Sequence, residues 1–241
     1  MSGHSKWAQI KRKKAVTDAR RGQMFTRLIK EIVISSRLGG PDLEGNARLR
    51  LAVERARKSS MPNDNIKRAI ARGAGADGAA AFEELTYEAY GPGGVAIMIE
   101  TATDNRNRTI GEMRHITSKY GGAMGESGSV GWMFSKKGII VIPKAGQDED
   151  RILAIALDAG ADDLKTDDPE YFEIQTTPEQ FEQVLKAITS ANIPIEEEKV
   201  GLIASTTVKL DATQAEKLAV LLEMIEENED VQNVYTNADF D

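Results

Sequence analysis

The chain has 241 residues, of which 41% are hydrophobic and 29% are charged, so it is long enough for one to three domains with apolar cores. It contains no cysteine, which excludes disulfides, thiolate metal sites and a cysteine nucleophile. The formal net charge is −7, no apolar run approaches the roughly 18 residues of a membrane span, and no apolar stretch follows the basic N-terminus as in a secretory signal.

Charge is divided unevenly along the chain. Residues 1–72 contain 18 Lys and Arg but only 6 Asp and Glu, which gives +12. Residues 73–241 contain 13 cations and 32 acids, which gives −19. A split of this size indicates a polyanion as the partner of the basic part. The acidic remainder repels the same polyanion and so limits non-specific adhesion.

The basic part is predicted to be an arm followed by three helices. Apolar residues recur with helical spacing over residues 18–38, and Gly39-Gly40-Pro41 ends that helix. A second helix is expected over residues 46–59, with Asn46 as its N-cap, and a third begins at Pro62-Asn63. The stretch that follows, GAGADGAAA at residues 73–81, has the composition of a linker. It contains the pattern G-x-G-x-x-G, but it follows a helix rather than a strand, so we reject a dinucleotide site.

The remaining sequence alternates strands and helices. From residue 138 to 198 the predicted order is strand, helix, strand, strand, helix, strand, which is the ferredoxin-like order. The flanking pieces, 95–134 and 202–236, together repeat that order with a break in the middle. We therefore predict an α+β multidomain fold with an N-terminal helical domain and two ferredoxin-like α/β domains, the third inserted in the second. The domains are 1–76, then 82–134 plus 202–241, and the insert 135–201; a single mixed sheet is the alternative.

Several boundaries follow from local patterns. Strands are expected at residues 130–134 and 138–142, joined by a turn at Ser135-Lys136-Lys137, and at residues 193–197 and 202–210. Three capping boxes are expected to begin helices: Thr109-x-x-Glu112, Thr177-Pro178-Glu179-Gln180 and Thr213-x-x-Glu216.

The N-terminal arm is the first candidate for nucleic-acid binding. Four consecutive cations follow Trp7, and cations release counterions from phosphates while an indole can stack on an unpaired base. The alternative is a solvated charge run, with Trp7 packed in a core, and the role of Trp7 stays open between the two. The predicted contact residues here are Lys6, Trp7, Lys11, Arg12, Lys13, Lys14, Arg20, Arg21 and Arg27.

A second candidate lies at the start of a predicted helix, where Arg106 and Arg108 follow a strand. A helix N-terminus favours anions through its free N–H groups and its dipole, so the two arginines are predicted phosphate contacts. The alternative is that Asp104, Asn105 and Asn107 only cap and turn the chain, with the arginines paired to carboxylates.

Catalytic chemistry has little support in the sequence. The two histidines, His4 and His115, lack metal-ligand spacing, and no nucleophile, P-loop or zinc-protease pattern occurs. We therefore expect no catalytic residue, no metal and no cofactor, and we expect nucleic acid rather than a membrane as the partner. No pattern indicates an oligomeric state.

Three long stretches resemble the YebC family, whose members include bacterial probable transcriptional regulators and a mitochondrial translational activator of cytochrome oxidase. They are GHSKWAQIKRKKAVTDARRGQMFTRLIKEI, YEAYGPGGVAIMIETATDNRNRT and GSVGWMFSKKG. One departure is Ala89, where the family usually has glycine. The resemblance implies three domains with the last inserted in the second, a cytoplasmic location and no catalytic residues.

The resemblance leaves two functions open. One is a DNA-binding transcriptional regulator, which is the customary description of the family and the function that we favour. The other is a ribosome-associated translation factor that binds rRNA and relieves stalling at proline-rich stretches. Both need a surface for polyanions, and the sequence shows no convincing helix-turn-helix spacing and no Asn, Gln or Arg recognition face. An enzyme acting on nucleic acid would need an acid, base or metal constellation that the sequence does not supply.

Overall fold

The computed structural model describes residues 18–76, 78 and 81–240, which form an N-terminal helical segment followed by mainly antiparallel sheets. This α+β architecture confirms the predicted fold class. The chain divides into two compact units: one contains the described residues up to Val130 with Leu210–Val234, and the other contains Gly131–Lys209 with the described residues from Tyr235. The described helices include none that is long and apolar enough to cross a membrane. The three predicted domain boundaries stay a prediction.

The N-terminal segment consists of three helices, as predicted: α1 (Asp18–Gly39), α2 (Ala47–Lys58) and α3 (Asn63–Gly73). Asn46 caps α2, because its side-chain oxygen accepts a hydrogen bond from the Leu49 N–H at 3.0 Å. The Asn46 amide also donates to the carbonyl oxygens of Ser35 and Gly40, at 2.8 Å each. One side chain thus satisfies backbone groups at the end of α1 and at the start of α2.

The three helices share one apolar core. Each large aliphatic side chain buried there contributes about 1.5–3 kcal/mol. Gly73 marks the closest approach of α3 to α1, since a Cβ at this position would overlap the Val33 carbonyl oxygen and the Ser36 Cβ. The fully or nearly buried residues are Ile32, Val33, Leu49, Ala52, Val53, Ala56, Met61, Ile66 and Ala69.

The first sheet has the strand order β3-β1-β2-β9. Its strands are β1 (Glu83–Tyr90), β2 (Ala96–Thr103), β3 (Ala123–Met124) and β9 (Val231–Thr236), accompanied by helices α4 (Arg106–Lys119) and α7 (Ala212–Glu226). Strands β1 and β2 pair antiparallel along their whole length, from Glu83 opposite Thr103 to Tyr90 opposite Ala96. The sequence did not predict β1, because acidic residues interrupt its apolar alternation. The elements before the insertion are therefore strand, strand, helix and strand, which differs from the predicted order.

The second sheet has the strand order β5-β6-β4-β7, with every pair antiparallel. Its elements follow the predicted ferredoxin-like order of strand, helix, strand, strand, helix, strand. In chain order they are β4 (Phe134–Pro143), α5 (Glu149–Asp158), β5 (Asp163–Lys165), β6 (Tyr171–Thr176), α6 (Phe181–Ser190) and β7 (Glu197–Ala204). Two short parallel strands, β8 (Val208–Lys209) and β10 (Ala238–Asp239), pair with each other.

Several predicted strand boundaries are wrong. Residues 131–133 of the strand expected at 130–134 form a 3-10 turn, and of the strand expected at residues 193–197 only Glu197 belongs to a strand, as the first residue of β7. The expected turn at residues 135–137 is part of β4, which pairs with β7 without a break from Phe134 opposite Ala204 to Val141 opposite Glu197. Both lysines are tolerated in the strand, because Lys136 is exposed and the half-buried Lys137 forms an ion pair with Asp162 at 2.7 Å. The strand expected at residues 202–210 is instead the end of β7 followed by β8.

Two of the three predicted capping boxes are displaced. Helix α4 is capped by Asn105, whose side chain accepts from the Arg108 N–H at 3.1 Å, rather than by Thr109. Helix α7 has its capping box at Asp211 and Gln214, two residues before the predicted one. Helix α6 begins at Phe181, after a turn at residues 178–180. At the third predicted box the Thr177 hydroxyl accepts a hydrogen bond from the Gln180 N–H at 3.3 Å, which is one of the two bonds of a capping box.

Candidate nucleic-acid interface

Most of the predicted phosphate contacts lie outside the described residues. Those on the arm, Lys6, Trp7, Lys11, Arg12, Lys13 and Lys14, belong to this group. Arg20 and Arg21 lie on α1, and their side chains are outside the described set. The binding roles of these eight residues stay predictions. The structure describes the side chains of the other three candidates, Arg27, Arg106 and Arg108.

Arg27 lies against the C-terminal end of α7. Its guanidinium donates a hydrogen bond to the Glu226 carbonyl oxygen, and burial lowers its pKa, an effect that the nearby Glu226 carboxylate partly offsets. On the same face of α1, Gln23 donates to the Glu227 carbonyl oxygen at 3.0 Å and Lys30 donates to that of Glu229 at 2.8 Å. These donors satisfy carbonyl groups that a helix end leaves without partners, and the cations complement the helix dipole. Arg27 is therefore engaged within the protein.

Lys30 forms a buried ion pair with Asp230. Its Nζ lies 2.7 Å from Asp230 Oδ1, and the two side chains are only 8% and 5% exposed. Removing one partner of such a pair leaves an uncompensated buried charge, at a cost of about 3–5 kcal/mol. No local sequence pattern indicates this partner of Lys30, because Asp230 lies 200 residues away.

Asp230 collects further donors at its second oxygen. Arg108 donates to Asp230 Oδ2 at 2.7 Å, and the hydroxyls of Thr109 and Thr103 donate to the same atom at 2.8 and 3.1 Å. Burial alone would raise the pKa of Asp230, but the hydrogen bonds from Lys30, Arg108 and Thr109 together lower it to about 2. The carboxylate is therefore ionised throughout the neutral range.

The backbone of Asp230 is fixed as well. Its N–H donates to Asn228 Oδ1 at 2.9 Å, and its carbonyl oxygen accepts from the Ala102 N–H at 2.7 Å. Asp230 thus joins three elements: α1 through Lys30, the end of β2 through Ala102, and the start of α4 through Arg108.

Arg106 and Arg108 have different surroundings. Besides Asp230, Arg108 contacts Asp104 at 3.1 Å, and its pKa is raised chiefly by the hydrogen bond to Asp230. Arg106 has a side chain that is 65% exposed, and Glu83 lies 3.9 Å away, at the outer limit of an ion pair. The structure thus gives Arg108 the carboxylate partners that the alternative interpretation expected, whereas Arg106 is oriented toward solvent.

A groove of about 560 Å³ lies next to this network, with Phe82 among its lining residues. Cations lie over the Phe82 ring, with Lys30 Nζ 5.4 Å and Arg72 Cζ 4.7 Å from its centroid. Carboxylates dominate the groove, so it disfavours a phosphate ligand. The acidic lining residues are Asp104, Glu112, Glu227, Glu229 and Asp230.

Exposed cations lie on all three N-terminal helices. We define the helical basic surface as Arg37 on α1, Arg57 on α2, and Lys67 and Arg68 on α3, all of which are exposed. Arg37, Arg57 and Lys67 form no ion pair with any residue that the structure describes. Arg48 behaves differently, because it pairs with Glu84 at 2.6 Å and Glu31 at 2.9 Å, and the hydrogen bond to Glu84 chiefly raises its pKa.

The connection between α2 and α3 has four residues, Ser59 to Pro62. This is the length of the turn found in helix-turn-helix units. Ser60 adopts a left-handed conformation, with φ 60°, and Met61 is buried beneath the turn. The exposed side of α3 begins with Asn63 and continues through Lys67 and Arg68.

Over the described residues, no group of three or more His, Asp or Glu side chains is placed to hold a metal ion. His115 is exposed on α4.

Family models and known proteins match nearly the whole chain. The model described as "TACO1/YebC protein N-terminal domain" matches residues 5–76, and "TACO1/YebC second and third domain" matches residues 82–238. A "Probable transcriptional regulatory protein" of Chlorobaculum tepidum is 54% identical over 99% of this chain and 95% of its own length. One of the same name from Desulforamulus reducens is 52% identical, over 98% of each chain.

A solved structure agrees in fold. The crystal structure of a conserved hypothetical protein from Aquifex aeolicus is 44% identical, covers 97% of this chain and 96% of its own, and has a TM-score of 0.88. Sequence and structure together show that this chain belongs to the TACO1/YebC family.

Proposed function

We propose that this protein is a non-enzymatic regulator of gene expression that acts in the cytoplasm and binds nucleic acid through phosphate contacts. Duplex DNA is the first candidate ligand. The observation that carries the proposal is the helical basic surface, where Arg37, Arg57 and Lys67 are exposed and form no ion pair with a described residue. The relatives named probable transcriptional regulatory proteins support a regulatory role.

Electrostatics explains why the N-terminal part would supply the main contacts. Each lysine or arginine that neutralises a phosphate releases a condensed counterion, so a segment of net charge +12 gains affinity for any polyanion. The rest of the chain, at −19, repels that ligand. The predicted contacts on the arm and the helical basic surface would act together.

The four-residue connection between α2 and α3 favours DNA. In helix-turn-helix units the second helix lies in the major groove and its N-terminal residues contact base edges. In this chain that helix is α3, which presents Asn63, Lys67 and Arg68 to solvent. An asparagine and two cations are residue types that bind base edges and phosphates.

The second candidate is a ribosome-associated translation factor that binds rRNA and relieves stalling at proline-rich stretches. The exposed cations Arg37, Arg57 and Lys67, which form no ion pair with a described residue, favour this candidate because they are spread over α1, α2 and α3 rather than gathered on one recognition helix. Folded RNA is recognised largely through its shape and its phosphates, for which a dispersed set of cations is suited.

One experiment separates the two candidates. At about 150 mM salt, the protein is titrated against duplex DNA fragments and is sedimented with intact ribosomes. A variant with glutamate at Lys11, Arg12, Lys13 and Lys14 tests the arm, and thermal melting confirms its fold. Sequence-selective DNA binding without ribosome pelleting supports the DNA regulator. Stoichiometric pelleting that the variant loses, with weak and salt-sensitive DNA binding, supports the translation factor. Binding to neither ligand contradicts the proposal.

A further inference from the structure

Trp132 is the most exposed large hydrophobic residue among those that the structure describes, with 73% of its surface accessible. It lies in a single 3-10 turn, Gly131–Met133, immediately before β4. The stretch that contains it, GSVGWMFSKKG, carries part of the family resemblance, yet the proposed function gives it no role. A single exposed apolar side chain is ordinary on a protein surface, so its surroundings decide whether it has a role.

The backbone under Trp132 is held firmly. The carbonyl oxygen of Met133 accepts hydrogen bonds from the Ser205 N–H at 2.8 Å and from the Ser205 hydroxyl at 3.0 Å. Pairing of β4 with β7 begins at the next residue, where Phe134 lies opposite Ala204. An indole presented from a rigid backbone loses little conformational freedom when it binds a ligand.

Charge is segregated along the sequence of this unit. Residues 148–198 contain 15 acids and 3 cations, whereas residues 131–147 and 199–210 contain five lysines and no acid. Two of these lysines, Lys136 and Lys209, are exposed and form no ion pair with a described residue. Asp239, the strand neighbour of Lys209, is only 6% exposed.

Chain length limits how far these lysines lie from the turn. Lys136 follows Trp132 by four residues, and Lys209 follows Ser205 by four. An extended chain of four residues spans at most about 14 Å, so the backbone of Lys136 lies within that distance of Trp132, and the backbone of Lys209 lies within it of Ser205, which binds the turn.

We propose that Trp132, Lys136 and Lys209 form a second nucleic-acid contact, in which the indole stacks on an unpaired base and the lysines approach the adjoining phosphates. The inference rests on the proposed function and specifies its ligand class, a nucleic acid with a single-stranded segment. Every base has a π-face, but a base inside a duplex already uses its faces for stacking. A purely apolar protein partner would not account for Lys136 and Lys209, which are exposed and form no ion pair with a described residue.

The test compares a fluorescein-labelled single strand with a duplex of the same sequence by anisotropy. Trp132→Ala is expected to weaken binding of the single strand about tenfold and to change duplex binding less than about twofold. Trp132→Phe should keep most of the affinity, because phenylalanine can also stack. Leu157→Ala, at another exposed apolar residue of the same unit, is the matched control and should bind as wild type.

The lysines are tested by the salt dependence of single-strand binding. Removing Lys136 and Lys209 together should reduce the slope of log K against log salt by about 1.4, since each contact to a single strand contributes about 0.7. Lys186→Ala, at an exposed lysine in the acidic part of this unit, should leave the slope unchanged.

Either of two results would overturn the inference: wild-type affinity of Trp132→Ala for the single strand, or equal losses for single strand and duplex. In both cases the wild type still binds nucleic acid, so the proposed function stands. If the wild type binds neither ligand, the proposed function fails, and this inference fails with it. Thermal melting of each variant shows whether a loss of binding comes from unfolding.

Discussion

Lys30 and Asp230 are 200 residues apart in the sequence, yet their side chains meet at 2.7 Å in a buried ion pair. The pair joins α1, the first described helix, to the residue that precedes the last strand of the first sheet. Arg27 and Lys30, two of the nine cations in the first thirty residues, therefore contact the protein itself. Some of the N-terminal cations thus stabilise the fold, in addition to the proposed role of the N-terminus in binding nucleic acid.

The first prediction concerns the stability that Asp230 provides. Asp230→Asn removes the negative charge and leaves Lys30 buried without a counter-charge, so the free energy of unfolding should fall by about 3–5 kcal/mol. Urea denaturation measures the change. The matched control is Asp158→Asn, at an exposed aspartate, which should stay within about 0.5 kcal/mol of wild type. If Asp230→Asn and the control were equally stable, the ion pairs and hydrogen bonds of Asp230 would make no net contribution to the free energy of unfolding.

The second prediction is a pH dependence from the same carboxylate. The pKa of Asp230 is about 2 in the folded protein, below the value of about 3.9 in an unfolded chain. Because the folded pKa is depressed, the stabilisation is fully present above about pH 4 and is lost as the pH falls toward 2.

The difference in pKa between the folded and unfolded states corresponds to about 2–3 kcal/mol of folding stability. Denaturation of wild type and Asp230→Asn at a series of pH values from 6 down to about 2 measures it. The stability of the two proteins should converge as the pH falls, since Asp230 loses its charge in the wild type. If the difference in stability between the two proteins stayed constant across the series, a group other than Asp230 would cause the pH dependence.

The third prediction separates the two arginines at the start of α4. Arg106 is largely exposed and only loosely paired, so Arg106→Gln should leave the melting temperature unchanged while reducing the salt slope for duplex binding by about 0.9. Arg108 binds Asp230 and Asp104, so Arg108→Gln should lower stability by about 1.5–3 kcal/mol. Calorimetry and anisotropy on the same two variants test this. A stable Arg108→Gln protein with weakened binding would give Arg108 the phosphate role instead.

The local elements could largely be predicted from the sequence. The three N-terminal helices, the Asn46 cap and the order of elements in the second sheet all follow from short-range patterns, and the structure confirms them. Strand β1 escaped prediction because Glu83, Glu84 and Glu88 interrupt its alternation. The side chain of Glu88 instead accepts from the N–H groups of Gly128 and Val130, at 2.6 Å each, a role that no local pattern indicates.

The network around Asp230 could not be predicted in the same way. Thr109 fits a capping box in sequence, but in the structure it is fully buried and donates to Asp230, 121 residues away. Asp230 itself lies in an acidic run that the sequence presents as a solvated surface. Only the chain path, which returns residue 230 to the end of β2 and to α1, shows which acid of that run is buried.

The last prediction tests the helical basic surface. Arg57→Glu and Lys67→Glu together reverse two exposed cations that form no ion pair with a described residue, so the fold should be kept. Binding of duplex DNA should weaken for all sequences alike, and the salt slope should fall by about 2, because each lost phosphate contact removes about 0.9. The control, Lys186→Glu with Lys217→Glu, makes the same change in net charge at exposed lysines outside the helical segment. Equal weakening by both pairs would show that net charge alone governs the affinity. A loss confined to the first pair would locate the phosphate contacts on α2 and α3, because the overall charge of the two variants is identical.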